Sequence, residues 1–176
     1  RMKEYTSDSQ LSQAISPSAF NLLRWILLSN RSQIISLPKQ YELPEFAGTF
    51  QFMTLISTPE SESVFKELKN KNKSIFLWHG SNGARWHSII RNGLKNFSNT
   101  KMMANGAALG PGIYLAKLSE TSWQYSQVVK NNYPKSHLGK TLHIIGLCEV
   151  AEMKDGTLKD HGWAHTLTRE EACVVR

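Results

Sequence analysis

The chain has 176 residues, 40% of them hydrophobic, which suits one globular domain with a real core. Lys and Arg outnumber Asp and Glu by 21 to 14, a net charge of +7. The basic residues are nevertheless spread in ones and twos from Arg1 to Arg176, and the densest cluster, Lys66 to Lys73, alternates with Glu67 and asparagines. Small anionic ligands therefore fit the charge better than nucleic acid, which is not an expected partner.

Cys148 and Cys173 both lie in apolar runs, IIGLCEV and EACVVR. That pattern indicates buried, reduced thiols in an intracellular compartment, cytoplasmic or nuclear, and not a disulfide framework. No secretory leader is read. The apolar run WILL, set off by Arg24, is too short for a bilayer, so no membrane partner is expected. An arginine at the start and a strand-like run at the end read as a piece of a longer protein.

In chain order, residues 1–15 are polar and read as frayed. Ser16-Pro17 is a helix start, a capping hydroxyl followed by proline at the first helical position. Phe20, Leu23 and Leu27, with Leu22 and Ile26 beside them, give that helix an apolar face. LPKQYELPEFAG reads as a linker, so residues 1–48 are expected to form a helical lead-in and linker before a domain over 49–176. TFQFMTLI alternates as a strand, and Thr58-Pro59 repeats the cap-plus-proline start ahead of the stripe Val64, Phe65, Leu68. SIFLW is of strand length; Trp86, Ile89 and Ile90 are spaced as a helix that stops at Asn92-Gly93. GIYLA, TLHIIGLCEV and EACVV read as strands, with residues 126–140 polar and irregular between them. The expected class is α+β, with strands dominating the C-terminal half.

Two stretches could carry chemistry. In FLWHGSNGARWHSIIRNGL, His79, Gly80 and Ser81 stand where an apolar strand gives way to a helix. Taken alone, His79 reads as a core histidine satisfied by backbone. Gly80, however, lets a ligand approach main-chain N–H and C=O groups, and Ser81 adds a hydroxyl. In NGAALGPGIYLAKLSETSWQYSQ, Gly106, Gly110 and Gly112 surround Pro111, and Tyr114 follows in a strand. Ser122 and Tyr125, three apart, are expected on one face of the next helix. The tyrosines could be half-buried aromatics with wet hydroxyls, or they could bracket a flat, cationic ring. His161 and His165 are spaced i, i+4, but Gly162 between them argues against a zinc site, and no other metal signature occurs. The nucleophile elbow, the Walker lysine loop and the Rossmann glycine pattern are all missing from the chain.

Together these stretches resemble the catalytic domain of the poly(ADP-ribose) polymerase family, the diphtheria-toxin-like ADP-ribosyltransferases. The likeness covers about residues 49–176 and rests on a strand ending in His-Gly-Ser, Gly-x-Gly-Ile-Tyr-Leu some thirty residues on, and Ser-x-x-Tyr eight residues past that tyrosine. WHSIIRNGL, NGAALGPGIYL, IIGLCEV and LLRWILLSNRSQI look most like a divergent, mono-ADP-ribosylating branch. The resemblance implies the ADP-ribosyltransferase fold, two small packed antiparallel-rich sheets with flanking helices. It also implies NAD+ as substrate, no metal, and a protein acceptor or the chain itself. By position, His79 would bond the adenosine ribose, Gly80 and Ser122 the nicotinamide amide, and Tyr125 would stack on the nicotinamide, with Ser81 and Tyr114 in the same cofactor-binding set. Residues 98–110 would form the loop over the cofactor.

One departure matters. Polymer-forming members carry a glutamate in the last part of the domain, and the matching position here is Ala164, flanked by Trp163 and His165. Glu170 and Glu171 lie six or seven residues on, expected in the following turn. Chain elongation is therefore not expected. Transfer would need an acidic or thiol acceptor that brings its own nucleophile, or help from His165; a weak or inactive NAD+-binding module is the alternative.

Overall fold

The computed structural model describes residues 7–29, 33–56, 59–101, 108–132 and 135–176. Contacts divide the chain into a unit ending at Arg31 and a unit from Ser32 to Arg176. In the first, α1 (Asp8–Ala14) and α2 (Pro17–Ser29) form. The Ser7 hydroxyl accepts the Gln10 N–H at 3.3 Å, a cap that gives helical order to a stretch read as frayed. The Ser16 hydroxyl accepts the Ala19 N–H at 3.3 Å, as its position before Pro17 predicts.

The second unit begins before residue 49. β1 (Gln33–Ser36) pairs antiparallel with β2 (Phe52–Ile56), so four residues assigned to the lead-in are held by a strand outside it. The stretch between them is not slack. It makes two 3-10 turns, Lys39–Tyr41 and Pro44–Phe46. The Gln51 side chain clamps them by accepting the Leu43 N–H at 2.8 Å and donating to the Leu43 carbonyl at 3.1 Å. Phe46 then rests against Trp78, ring centres 5.1 Å apart.

α3 (Pro59–Lys71) and β3 (Ser74–Gly80) follow; the proposed cap Thr58 lies outside the described residues. After a single 3-10 turn comes α4 (Trp86–Asn92), closed at Gly93 in the left-handed region at φ 76°, as Asn92-Gly93 predicts. The remaining elements are β4 (Ile113–Leu115), α5 (Ser119–Trp123), β5 (Val129–Lys130), β6 (Thr141–Leu142), β7 (Ile145–Ala151), β8 (Leu158–Asp160), β9 (His165–Leu167) and β10 (Cys173–Val175).

Two three-stranded sheets organise the unit, β10-β7-β3 and β4-β9-β8, every pairing antiparallel. They meet at a single bridge, where Trp78 and Ala116 exchange N–H···O bonds of 2.7 and 2.9 Å. β7 is central, and its Cys148, Val150 and Ala151 are fully buried with Phe65, Leu77, Leu94, Ile113, Leu115 and Leu167. The fold is thus α+β with small antiparallel sheets, as the resemblance implies. Both cysteines are buried and free. The hydrophobic reading of β7 misses Glu149, which is buried yet bonded to Lys69 (2.5 Å), Ser74 (2.8 Å) and Arg176 (2.9 Å).

Candidate active site

Where β3 and β4 separate beyond the Trp78–Ala116 bridge, a cleft of about 740 Å³ opens. His79, Gly80, Ser81, Tyr114, Ser122, Tyr125 and Ala164 all line it, although 85 residues separate the first from the last. The strand pairing explains how Gly80 faces the opening. Ladder bonds alternate along a strand, and Trp78 spends its N–H and C=O on Ala116, away from β7. Gly80, two residues on, repeats that orientation. Its amide edge therefore points toward the side where β4 has left, which is the cleft. A Cβ at Gly80 would overlap the main-chain carbonyl oxygen of Ser122, so α5 can lie this close to β3 only because residue 80 has no side chain.

His79 is oriented from behind. Its Nδ1–H donates to the Tyr114 carbonyl at 2.9 Å, which leaves Nε2 as the free lone pair of the neutral ring. Burial lowers its pKa below the ordinary histidine value, against the pull of the Tyr114 carbonyl, so the ring is neutral near pH 7. The buried Trp86 meets it edge-on at 6.2 Å and donates its indole N–H to the Ser81 carbonyl at 3.3 Å. The core reading of His79 is thus half right: one nitrogen is satisfied by backbone, and the residue still lines the cleft.

The tyrosines are not equivalent. The Tyr114 hydroxyl accepts the Leu109 N–H at 2.9 Å and donates to the Gly110 carbonyl at 2.8 Å, so this phenol straps the loop to β4 and is not left to solvent. Tyr125 is 46% exposed. It lies beyond the end of α5, not on it, because the helix stops at Trp123; the Tyr125 N–H bonds the Ser122 carbonyl at 3.1 Å, and this turn keeps the two residues in one cleft. Below, the Ser126 hydroxyl donates to the Ile144 carbonyl at 2.5 Å, and His143 bonds the Ser126 carbonyl with its ring tilted against that of Trp123, centres 3.7 Å apart. Of the loop 98–110, residues 102–107, Gly106 included, lie outside the described residues.

Ala164 is buried at the tip of the β8–β9 hairpin, where the His161 N–H bonds its carbonyl at 2.8 Å. His165 does not face this cleft. Period-two alternation turns it to the opposite face of β9, where it lines a separate cavity of about 430 Å³ instead of the cleft. Burial lowers its pKa, opposed by Asp160 at 3.7 Å, and its Nδ1 has no hydrogen-bond partner among the described residues. His161 is occupied with the Thr166 hydroxyl at 2.9 Å. Glu170 is tied to Lys95 (2.8 Å) and the Asn96 N–H (2.7 Å) in a turn after β9, and Glu171 faces Arg169.

Three cations, Arg85, Lys95 and Lys101, line the cleft, and no carboxylate does so among the described residues. Arg85, Asn82 and Gln127 were not singled out from the sequence. Asn82 and Gln127 are joined side chain to side chain at 2.8 Å across 45 positions, a pairing with no local sequence signal. Among the described residues no group of three His, Cys, Asp or Glu could hold a metal, and no helix is long and apolar enough to cross a membrane.

Comparison with known proteins accords with this geometry. The family model for the poly(ADP-ribose) polymerase catalytic domain matches residues 49–175, taking in both sheets and every wall of the cleft. The chain is 44% identical over 114 residues to the mouse and human proteins named protein mono-ADP-ribosyltransferase PARP8, covering 65% of this chain and 13% of each relative. It is 28% identical over 162 residues to mouse protein mono-ADP-ribosyltransferase PARP16, covering 83% of this chain and 47% of that protein. It is also 30% identical over 122 residues to a Caenorhabditis elegans poly [ADP-ribose] polymerase tankyrase, covering 69% of this chain and 4% of that one. The chain thus spans less than half the length of these relatives. Its strand-end His-Gly-Ser and the Ser122 and Tyr125 that line the same cleft fall inside the matched domain, and the chain belongs to the poly(ADP-ribose) polymerase catalytic-domain family.

Proposed function

We propose that this chain is an NAD+-dependent mono-ADP-ribosyltransferase, moving one ADP-ribose unit to a side chain of a protein, or of itself, and releasing nicotinamide. The observation that carries the reading is the cleft-facing amide edge of Gly80, with Ser122 beside it and the exposed ring of Tyr125 in the same cleft, which neutral His79 also lines. A carboxamide presents a carbonyl acceptor and two N–H donors; a glycine backbone edge pairs with the acceptor and one donor, and the second donor is left for Ser122, while a flat ring attached to that amide would lie on Tyr125. His79 Nε2 is a hydrogen-bond acceptor suited to a ribose hydroxyl, and the Nδ1 bond to Tyr114 keeps it so.

Leaving of nicotinamide creates oxocarbenium character at the anomeric carbon. This chain's part is to hold the leaving amide and the far ribose in place, so that binding energy at the two ends favours the stretched state in between. Ala164 offers no carboxylate to polarise a ribose hydroxyl, which fits single transfer to an acidic or thiol acceptor and gives no means of elongation. The catalytic domain is taken as residues 49–176, with 33–48 packed on its strands. Buried free thiols fit an intracellular setting, cytoplasmic or nuclear.

Incubation with NAD+ labelled in the adenylate tests the reading: the expected product is protein carrying single ADP-ribose units, with stoichiometric release of nicotinamide. The cleft wall without a carboxylate also favours a second reading, an NAD+-binding module with little or no transfer. Protection from melting by NAD+ with no label incorporated would establish that one.

A further inference from the structure

We infer that Arg85 is the residue that grips the diphosphate of the dinucleotide, so that its guanidinium selects a dinucleotide over a bare nicotinamide. This rests on the reading of the cleft as an NAD+ site. Beyond Gly80 the chain makes one 3-10 turn, Gly83–Arg85, fastened at both ends. The Asn82 side chain accepts the Ala84 N–H at 2.9 Å and donates to Gln127, and the Arg85 N–H bonds the Asn82 carbonyl at 2.9 Å. The next residue, Trp86, is buried with its indole N–H on the Ser81 carbonyl. With Trp86 directed inward, Arg85 is exposed and stands on the cleft wall.

Its charge is uncompensated among the described residues. Lys95 is neutralised by Glu170 at 2.8 Å, whereas Arg85 has neither an ion pair nor a hydrogen-bonding partner among the described residues, and none of those lining the cleft is acidic. Neutral His79 contributes no charge. Lys101, also without an ion pair among the described residues, borders residues 102–107, which lie outside them. A diphosphate is a dianion with oxygens spaced for the two-pronged fork of a guanidinium, and charge-assisted bonds of that kind are the strong ones. The amide end of the ligand needs Gly80 and Ser122 and makes no demand on Arg85.

The two halves of the ligand therefore separate the roles. Calorimetric titration of the chain and of Arg85→Gln with ADP-ribose, NAD+ and 3-aminobenzamide is the test. The expected result is at least a tenfold loss of affinity for ADP-ribose and NAD+, about 1.4 kcal/mol, with 3-aminobenzamide unchanged and a flatter salt dependence for NAD+. Arg85→Lys should recover only part, because an ammonium lacks the fork. Unaltered ADP-ribose binding in Arg85→Gln overturns the assignment, and so does an equal loss of all three ligands, which marks a collapsed wall. A parent chain that takes up none of the three refutes the reading of the cleft itself, and this inference with it.

Discussion

Glu149→Gln probes the joint that holds the sheet behind the cleft. The carboxylate is 4% exposed and receives Lys69 at 2.5 Å, Ser74 at 2.8 Å, and Arg176 through Nε and a terminal nitrogen at 2.9 Å each. An isosteric amide can still accept from Lys69 and Ser74, but its NH2 group must then meet the Arg176 guanidinium, donor against donor. Breaking a buried pair costs about 3–5 kcal/mol. Lys69 is 48% exposed and can turn to water, which reduces the expected loss to about 2–3 kcal/mol. For a chain of this size that lowers Tm by roughly 4–12 °C.

The pH dependence has a definite sign. Burial pushes the Glu149 pKa up, but the Lys69, Ser74 and Arg176 hydrogen bonds outweigh it and hold the group below the ordinary glutamate value. A carboxylate depressed in the folded state contributes stability that is fully present above its unfolded value, about 4.3, and is lost as pH falls through the folded one. Urea unfolding at pH 7, 5 and 3 should therefore show the parent ahead of Glu149→Gln by the full amount at the first two and by much less at the third, with equal m-values. Equal stability at pH 7, or a gap that does not change between pH 7 and 3, would refute the reasoning.

Three further outcomes are expected. His79→Ala removes ADP-ribose labelling while thermal melting still shows one cooperative transition; labelling at the parent rate would mean Nε2 has no part in the site. Gly80→Ala places a methyl on the Ser122 carbonyl and should destabilise the domain by about 1–3 kcal/mol while abolishing 3-aminobenzamide binding, read by melting and calorimetry on one sample. Tyr114→Phe cuts the strap to Leu109 and Gly110 but keeps the ring. Its stability should fall by only about 1 kcal/mol while the labelling rate drops several-fold, and hydrogen exchange at the Leu109 amide should accelerate.

The elements that carry their own pattern were legible along the chain. β10 and, apart from Glu149, β7 are apolar runs of strand length; α2 and the stop at Gly93 follow from a cap, a proline and a glycine. The elements that were not legible take their order from elsewhere. β1 has four residues and exists because β2 pairs with it, and the two-proline stretch looks like a linker until Gln51 clamps it. Glu149 sits in a strand whose other signals are all apolar, and its compensating partners lie 80, 75 and 27 positions away.

The site divides in the same way. Residue types and spacing marked His79, Gly80, Tyr114, Ser122 and Tyr125 as candidates, the family resemblance supplied the roles expected of them, and the fold brings all five to one cleft. Tertiary structure alone decided that residue 80 has no room for a Cβ, because the Ser122 carbonyl occupies its place. It alone turned the Tyr114 hydroxyl into a strap, sent His165 to another cavity, and left Arg85 as a charge without a partner among the described residues. Local sequence encodes the torsional and hydrophobic preferences of neighbours a few positions apart. Close approach, strand alternation and charge compensation depend on residues tens of positions apart, and they are settled only when β3, β4, β9 and α5 meet.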